Sequence, residues 1–197
     1  IASSQTPAPQ TQVQPQPPVF QKKPDLYVMA MTYQPEFCFL HADFPGCQVP
    51  PNEYWKTHLT IHGLWPEFED GTYPASCSAE KLQESTIQSF KLQLDAFWPN
   101  LKDPDPSSAK HSSFWKYEWN KHGTCSGLSQ RDYLESALLF QTPTPIEVQQ
   151  EYGKRISKQR LVQSYGGPDR AVPICVKGKF LEEVRSCLGV GPDGKPT

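Results

Sequence analysis

The sequence predicts a single α+β domain braced by disulfides. Strand-like and helix-like segments mix along the chain without the strand–helix–strand regularity of a parallel sheet. The 197 residues fit one domain with room for a real core. Six cysteines form an even set with no Cys-x-x-Cys pair, which argues against zinc ribbons and thioredoxin-type redox sites. Disulfides in an oxidising compartment are the expectation, with nearest-neighbour pairing the simplest of many connectivities.

Residues 1–24 are mostly Gln, Pro, Ser, Thr and Ala. Such a segment cannot bury enough surface to offset its ordering, so a disordered arm is expected, with the folded domain spanning 25–190 and a flexible tail at 191–197. Residues 25–33 (DLYVMAMTY) read as a buried strand stopped by Pro35. Residues 56–62 alternate: Leu59 and Ile61 on one face, His58, Thr60 and His62 on the other, with Gly63 letting the backbone turn. Ser78 is placed to cap a helix through Phe97, its apolar face formed by Leu82, Phe90, Leu94 and Phe97 and its end set by Pro99. Residues 112–122 read as a helix with Gly123 as its C′ residue. Ser129 and Asp132 form a capping box for a helix through Phe140. Residues 172–176 and 180–184 flank a Lys177-Gly178 turn and read as a hairpin.

The net charge of −2 excludes a broad basic face for nucleic acid but not an enzyme that handles a few phosphates at one site. No apolar run approaches the roughly 18 residues of a membrane span. The chain starts at Ile1 rather than Met and carries no signal-peptide pattern, so a processed secretory product is expected. No Asn-x-Ser/Thr acceptor for N-glycosylation is present.

Two segments carry chemistry. The first is LTIHGLWP at 59–66, which puts His62 at a strand end opposite an apolar pair. The second is FWKYEWNKHGTC at 114–125, where Glu118, Lys121 and His122 fall within about 100° of one another on a helix. A carboxylate, an ammonium and an imidazole are thus offered together. The Glu118–His122 spacing is not HExxH, and Lys121 would set a positive charge beside any cation, so no metal is expected. Two histidines from separate segments can act as base and acid, and a lysine can neutralise the extra charge of a phosphorane-like transition state. That set suits cleavage of a phosphodiester by its own neighbouring 2′-hydroxyl, which RNA carries.

Both segments resemble the two active-site segments of the ribonuclease T2 family, the transferase-type acid RNases. The resemblance takes in GTYP at 71–74, FWPNL at 97–101 and the Cys175…Cys187 stretch, and covers about 25–188. It implies an antiparallel sheet flanked by helices, with bridges Cys38–Cys47, Cys77–Cys125 and Cys175–Cys187. It implies His122 as general base and His62 as general acid, with Glu118 and Lys121 stabilising the transition state. Trp65, Glu67 and Tyr73 would hold one base, and Phe114 the other. Tyr117 stands where many members have a phosphate-binding histidine; it can donate a hydrogen bond but carries no charge. Thr32-Tyr33 replaces the family's Gln-Trp.

The activity implied is a secreted endoribonuclease that cuts single-stranded RNA through 2′,3′-cyclic phosphates to 3′-phosphates. Neither metal nor cofactor, DNA nor membrane is expected to take part. A monomer is expected, outside the cell or in a lysosome- or vacuole-like compartment. The alternative is a non-catalytic binding, storage or toxin-like protein; Tyr117 favours it, and the retention of His62, Glu118, Lys121 and His122 opposes it. His41 and His111 are expected to be solvated, and His58 is a further candidate to approach the site.

Overall fold

The computed structural model describes residues 22–48, 53–150 and 155–197; the arm expected at 1–24 lies outside the described residues as far as residue 21. Four strands form one antiparallel sheet in the order β2-β1-β4-β3. They are β1 (Leu26–Thr32), β2 (Thr60–Glu67), β3 (Val172–Val176) and β4 (Phe180–Leu188). Central β1 is buried along nearly its whole length, which explains its unbroken apolar run. Tyr27, Met29 and Met31 face the core, while Val28, Ala30 and Thr32 line the opposite face.

Helices cover the core face. α4 (Glu84–Phe97), α5 (Ser113–Lys121) and α6 (Gln130–Leu139) contribute Ile87, Leu94, Trp115, Trp119, Tyr133 and Leu134 to one cluster with Ile61, Leu64 and Trp98. Ser129 caps α6 as expected, accepting from the Asp132 N–H. The Lys177-Gly178 hairpin turn is also as expected; both residues have positive φ, 51° and 65°, as a tight two-residue turn requires. No helix among the described residues is long and apolar enough to cross a membrane.

Several expectations need correction. Pro35 does more than stop β1: it opens α1 (Gln34–Leu40), a first-turn position where its missing N–H costs nothing. Two further short helices, α2 (Pro45–Gln48) and α3 (Glu53–Thr57), follow before β2, so Lys56 is helical rather than extended. α4 begins at Glu84, not after Ser78, because neighbours claim the preceding backbone. Trp119 Nε1 donates to the Glu80 carbonyl at 3.1 Å, and Gln130 Nε2 to that of Lys81 at 3.0 Å. Gly123 closes α5 for space and not for a left-handed φ: a Cβ there would lie 2.4 Å from Trp119 Cε3. His111 is buried, with Nε2 2.7 Å from Asp95 Oδ1 and Nδ1 2.9 Å from the Asp103 carbonyl. α7 (Ile146–Gln150) and α8 (Lys158–Ser164) complete the α-helices among the described residues, and a short 3-10 helix (Gly123–Cys125) follows α5. Residues 191–197 are tied back rather than loose: Gly189 and Thr197 exchange backbone bonds, Lys195 pairs with Asp132 at 2.6 Å, and Tyr27 Oη donates to the Gly194 carbonyl.

Cys38–Cys47 and Cys77–Cys125 are disulfides. The third bridge is not formed: Cys175 and Cys187 are free. The sheet register forbids it. Cys175 pairs with Leu181, while Cys187 lies farther along β4 opposite Val28 of β1. From 181 to 187 the strand rises about 20 Å at roughly 3.3 Å per residue, several times the reach of a disulfide.

Alkylation of the denatured, unreduced protein should therefore label two cysteines, Cys175 and Cys187; an unlabelled protein would restore the third bridge. Removing Cys77–Cys125, which closes 48 residues, should cost about 4 kcal/mol by loop-closure entropy, measured by urea unfolding.

Candidate active site

The site grows from an irregularity in β2. Ala30 pairs with Gly63 but Met31 pairs with Ile61, so His62 is the extra residue of a β-bulge. Strict alternation would set His62 and Leu64 on one face. The added residue instead sends Leu64 into the core, fully buried, and brings His62 and Trp65 to the same side. Their rings meet edge to face with centroids 5.2 Å apart. The chain does not turn at Gly63 as expected but runs on through Glu67. Indole and phenol donors take up carbonyls around the bulge: Trp98 Nε1 bonds His62 O at 2.8 Å, and Tyr133 Oη bonds Leu64 O at 2.9 Å.

α5 delivers the second half. Glu118 is buried, and its Oε2 accepts from Trp65 Nε1 at 3.0 Å. His122 caps the helix and is also buried, its ring stacked on Trp65 at 5.2 Å between centroids. Gly63 makes this approach possible: a Cβ there would lie 2.3 Å from both Glu118 Oε2 and Trp65 Nε1. Trp65 thereby touches His62, Glu118 and His122 together, and the Arg185 guanidinium lies 5.0 Å from its ring centre.

Burial and charge treat the two imidazoles differently. Burial alone opposes protonation of His62, but its hydrogen bond to Glu183 and the carboxylates of Glu118 and Glu183 outweigh it. Its pKa is raised above the ordinary 6.5 although Arg185 pulls the other way. His122 has no such partner. Burial, then the charges of Lys121 and His62, push it down to about 3. Its Nδ1 is buried without a hydrogen-bond partner among the described residues, leaving Nε2 as the nitrogen for any reactant. Glu118 is raised by burial, against the pull of His62, the Trp65 hydrogen bond and Lys121.

Other expected residues fall around this centre. Phe114 stands 5.9 Å from the His62 ring, and the Lys121 ammonium lies 5.7 Å over the exposed Tyr117 ring. His62, Phe114 and Tyr117 line a cleft of about 470 Å³ that extends towards Gln34, Phe44 and Lys102. Glu67 ends β2 on the Trp65 face, half-buried; burial raises its carboxyl and Arg185 opposes this. Tyr73 lies apart on the next loop, exposed. His58 precedes β2 and stacks on Tyr54 at 4.2 Å, away from this centre.

Sequence reasoning missed three residues here. Glu183 bonds His62 Nδ1 through Oε1, and its Oε2 accepts from Arg185 Nε at 2.9 Å and Nη2 at 2.7 Å. Glu183 and Arg185 two apart on a strand, around buried Val184, signal a charged face; only the sheet order says that it is the His62 face. The third, Gln34, lines the cleft; its Nε2 donates to Thr60 Oγ1 at 2.6 Å, while its buried Oε1 has no partner among the described residues.

Fold and site together define an α+β protein with two histidines of opposed proton affinity on one face of a helix-backed antiparallel sheet. The chain belongs to the ribonuclease T2 family, whose profile matches residues 24–150. It is 42% identical to Ribonuclease 1 of Arabidopsis thaliana over 120 residues, 55% of this chain and 51% of that protein. A Ribonuclease of Aeromonas hydrophila is 29% identical over 175 residues, 83% of this chain and 71% of that one. The match to Intracellular ribonuclease LX of Solanum lycopersicum spans 40% of that protein at 43% identity, so the chain spans about half the length of the first plant relatives. Among solved structures, RNase NT in complex with 5′-AMP superposes with a TM-score of 0.58 at 25% identity, covering 85% of this chain and 87% of that one. Trichomaglin, described as an S-like ribonuclease, superposes at 0.66 with 20% identity over 88% and 90% of the two chains, a likeness of fold.

Gly63→Ala should break the Trp65–Glu118 contact and cost about 1–3 kcal/mol, as overpacking of a tight interior does. Urea unfolding measures it, and an unchanged midpoint would mean that both side chains yield freely.

Proposed function

We propose that this chain is an endoribonuclease that cuts single-stranded RNA without a metal, with His122 as base and His62 as acid. The opposed proton affinities of the two histidines carry this reading: environments that drive two titratable groups apart assign the base and the acid. Family membership and the relatives' names support RNA as the substrate.

In the first step His122 takes the proton of the 2′-hydroxyl as its oxygen bonds phosphorus. The bond from phosphorus to the 5′-oxygen breaks, and His62 gives that oxygen a proton. The products are a 2′,3′-cyclic phosphate and a 5′-hydroxyl. In the second step water replaces the 2′-oxygen: neutral His62 takes the water's proton, His122 returns one to the 2′-oxygen, and a 3′-phosphate results. Lys121 and Glu118 flank the phosphate, Lys121 countering its growing charge. DNA lacks the internal nucleophile.

Trp65, Glu67 and Tyr73 take one base. Trp65 shares its ring with His122 and Arg185, so exposed Tyr73 does more of the stacking. Phe114 and Tyr117 border the cleft for the other base, which Gln34 also lines. Residues 25–190 act as the catalytic unit. The two disulfides favour an oxidising compartment, outside the cell or lysosome- or vacuole-like.

RNA should be cut in EDTA to 2′,3′-cyclic and then 3′-phosphate ends, with DNA untouched; 5′-phosphate products would overturn the mechanism. His62→Ala and His122→Ala should each lower kcat by about two to four orders of magnitude. The double variant should fall far short of the product of the two losses, because the pair acts as a unit.

The pH profile should be bell-shaped. Activity needs His122 unprotonated, so its acid limb lies near pH 3. It also needs His62 protonated, so the alkaline limb lies above the ordinary 6.5. Measured kcat/KM against pH checks both limbs, and a single sigmoid would remove one histidine from its role.

A further inference from the structure

We propose that Glu183 is the positioning residue for His62, accepting its Nδ1–H so that Nε2–H points to the departing 5′-oxygen, with Arg185 setting the strength of that acid. The inference rests on His62 being the acid of the reading above and extends it to a third element of the sheet. Glu183 lines the same cleft as His62, but both of its oxygens are already engaged. Its side chain is 8% exposed, Oε1 is taken by His62, and Oε2 by two nitrogens of Arg185. It therefore acts through the imidazole, as a carboxylate that fixes a ring's tautomer and stabilises its charged form.

The sheet builds this contact across a whole strand. β2 and β4 are separated by β1, about 10 Å apart at roughly 4.8 Å per strand. Thr32 pairs with Glu183 and Ala30 with Arg185, while the bulge sets His62 beside Gly63, opposite Ala30. Between the imidazole and the carboxylate, β1 thus presents only Ala30 and Thr32, small enough to pass beneath the bridge. A longer residue at 30 would fill the gap.

Ionisable groups face His62 from the elements around it: Glu183 and Arg185 on β4, Glu118 with Lys121 and the neutral His122 at the end of α5, and His41, Lys102 and Glu182 along the shared cleft. Ionised Glu183 raises the proton affinity of the ring, and Arg185 lowers it. Burial favours neutral Glu183, but its bonds to His62 and Arg185 outweigh that and keep it ionised. In the step itself the proton leaves Nε2 for the 5′-oxygen as the phosphorus–oxygen bond breaks; His62 keeps its Nδ1 proton, hydrogen-bonded to Glu183, and Glu183 gains none.

The test uses the full chain and the variants Glu183→Gln and Arg185→Gln. The readouts are the pH profile on RNA, the NMR titration of the His62 ring nitrogens, and turnover of a uridine 3′-phosphodiester of 4-nitrophenol. That leaving group needs no proton. Glu183→Gln should lower kcat on RNA by about 10²-fold with KM little changed, the scale of a misplaced catalytic group. The alkaline limb and the His62 titration should both move to lower pH, and the defect should largely vanish on the nitrophenyl ester. Arg185→Gln, whose side chain is 42% exposed, tests the same coupling without emptying the interior and should move both to higher pH. Shifts of opposite sign are not what a loss of folding produces. An unmoved His62 titration in Glu183→Gln, or an equal defect on both substrates, overturns the proposal. Failure of the parent reading looks different: His62→Ala would then cut RNA at the wild-type rate, whereas failure of this proposal alone leaves His62→Ala impaired and Glu183→Gln normal.

Discussion

The extra residue at His62 governs how the rest of the site is arranged. In a pleated strand, side-chain direction is a matter of parity, and one inserted residue reverses it for everything downstream. Ile61 and Leu64 both enter the core only because His62 is not counted in the ladder, and Trp65 and Glu67 reach the reactive face for the same reason. A bulge frees backbone groups that must find partners when buried, at about 1–3 kcal/mol for each one left unmade. Trp98 meets the His62 carbonyl, and Trp115 in turn donates to the carbonyl of Trp98 at 2.8 Å. The aromatic core and the placement of the imidazole are therefore one construction. The indoles fill volume with their rings and hold backbone with their N–H groups.

Around that bulge, desolvation acts on two histidines whose chemistry comes out opposite. Desolvation disfavours the charged form of both; what separates them is the company each keeps. His62 has carboxylates from α5 and β4, while His122 has the neutral Trp65 ring and the ammonium of Lys121. The low dielectric that makes an unpaired charge costly also sharpens the difference between them. Glu118 serves both sides: its hydrogen bond fixes Trp65, its charge favours protonated His62, and Trp65 is the surface on which His122 rests.

Close approach, more than glycine's conformational freedom, explains the two glycines of the reactive segments. Gly63 admits the Trp65–Glu118 contact and Gly123 admits the Trp119 ring. Cys125 follows two residues later, and its bridge to Cys77 ties the end of the α5 region to the loop that carries Tyr73. That loop is also held by Thr124 Oγ1 accepting from the Cys77 N–H at 3.1 Å, and by the Lys121 carbonyl accepting from Ser76 at 2.9 Å. The covalent link and the backbone bonds restrain the same few residues, so the end of α5 that carries His122 and the loop that carries Tyr73 are tied together.

The sequence by itself determined what depends on near neighbours. The strand character of β1, the Ser129 cap, the Lys177-Gly178 turn and the shared helix face of Glu118, Lys121 and His122 are local effects of side-chain shape, period and capping chemistry. The reactive segments were legible because dense, specific residue types at fixed spacing leave little else for them to resemble. Tertiary structure decided the rest, because the forces involved act between residues far apart in the chain. Ser78 looks like a cap, yet Trp119 and Gln130 hold the carbonyls that a helix there would need. Cys175 and Cys187 look like a pair, yet strand register separates them. His111 looks solvated, yet Asp95 and the Asp103 carbonyl enclose it. Glu183 carries no local mark of a role; it meets His62 from 121 positions away, because the sheet order lays β4 and β2 on either side of a strand whose facing residues are small. Periodicity shows which face a residue occupies, but which faces meet follows from how the whole chain buries its apolar surface.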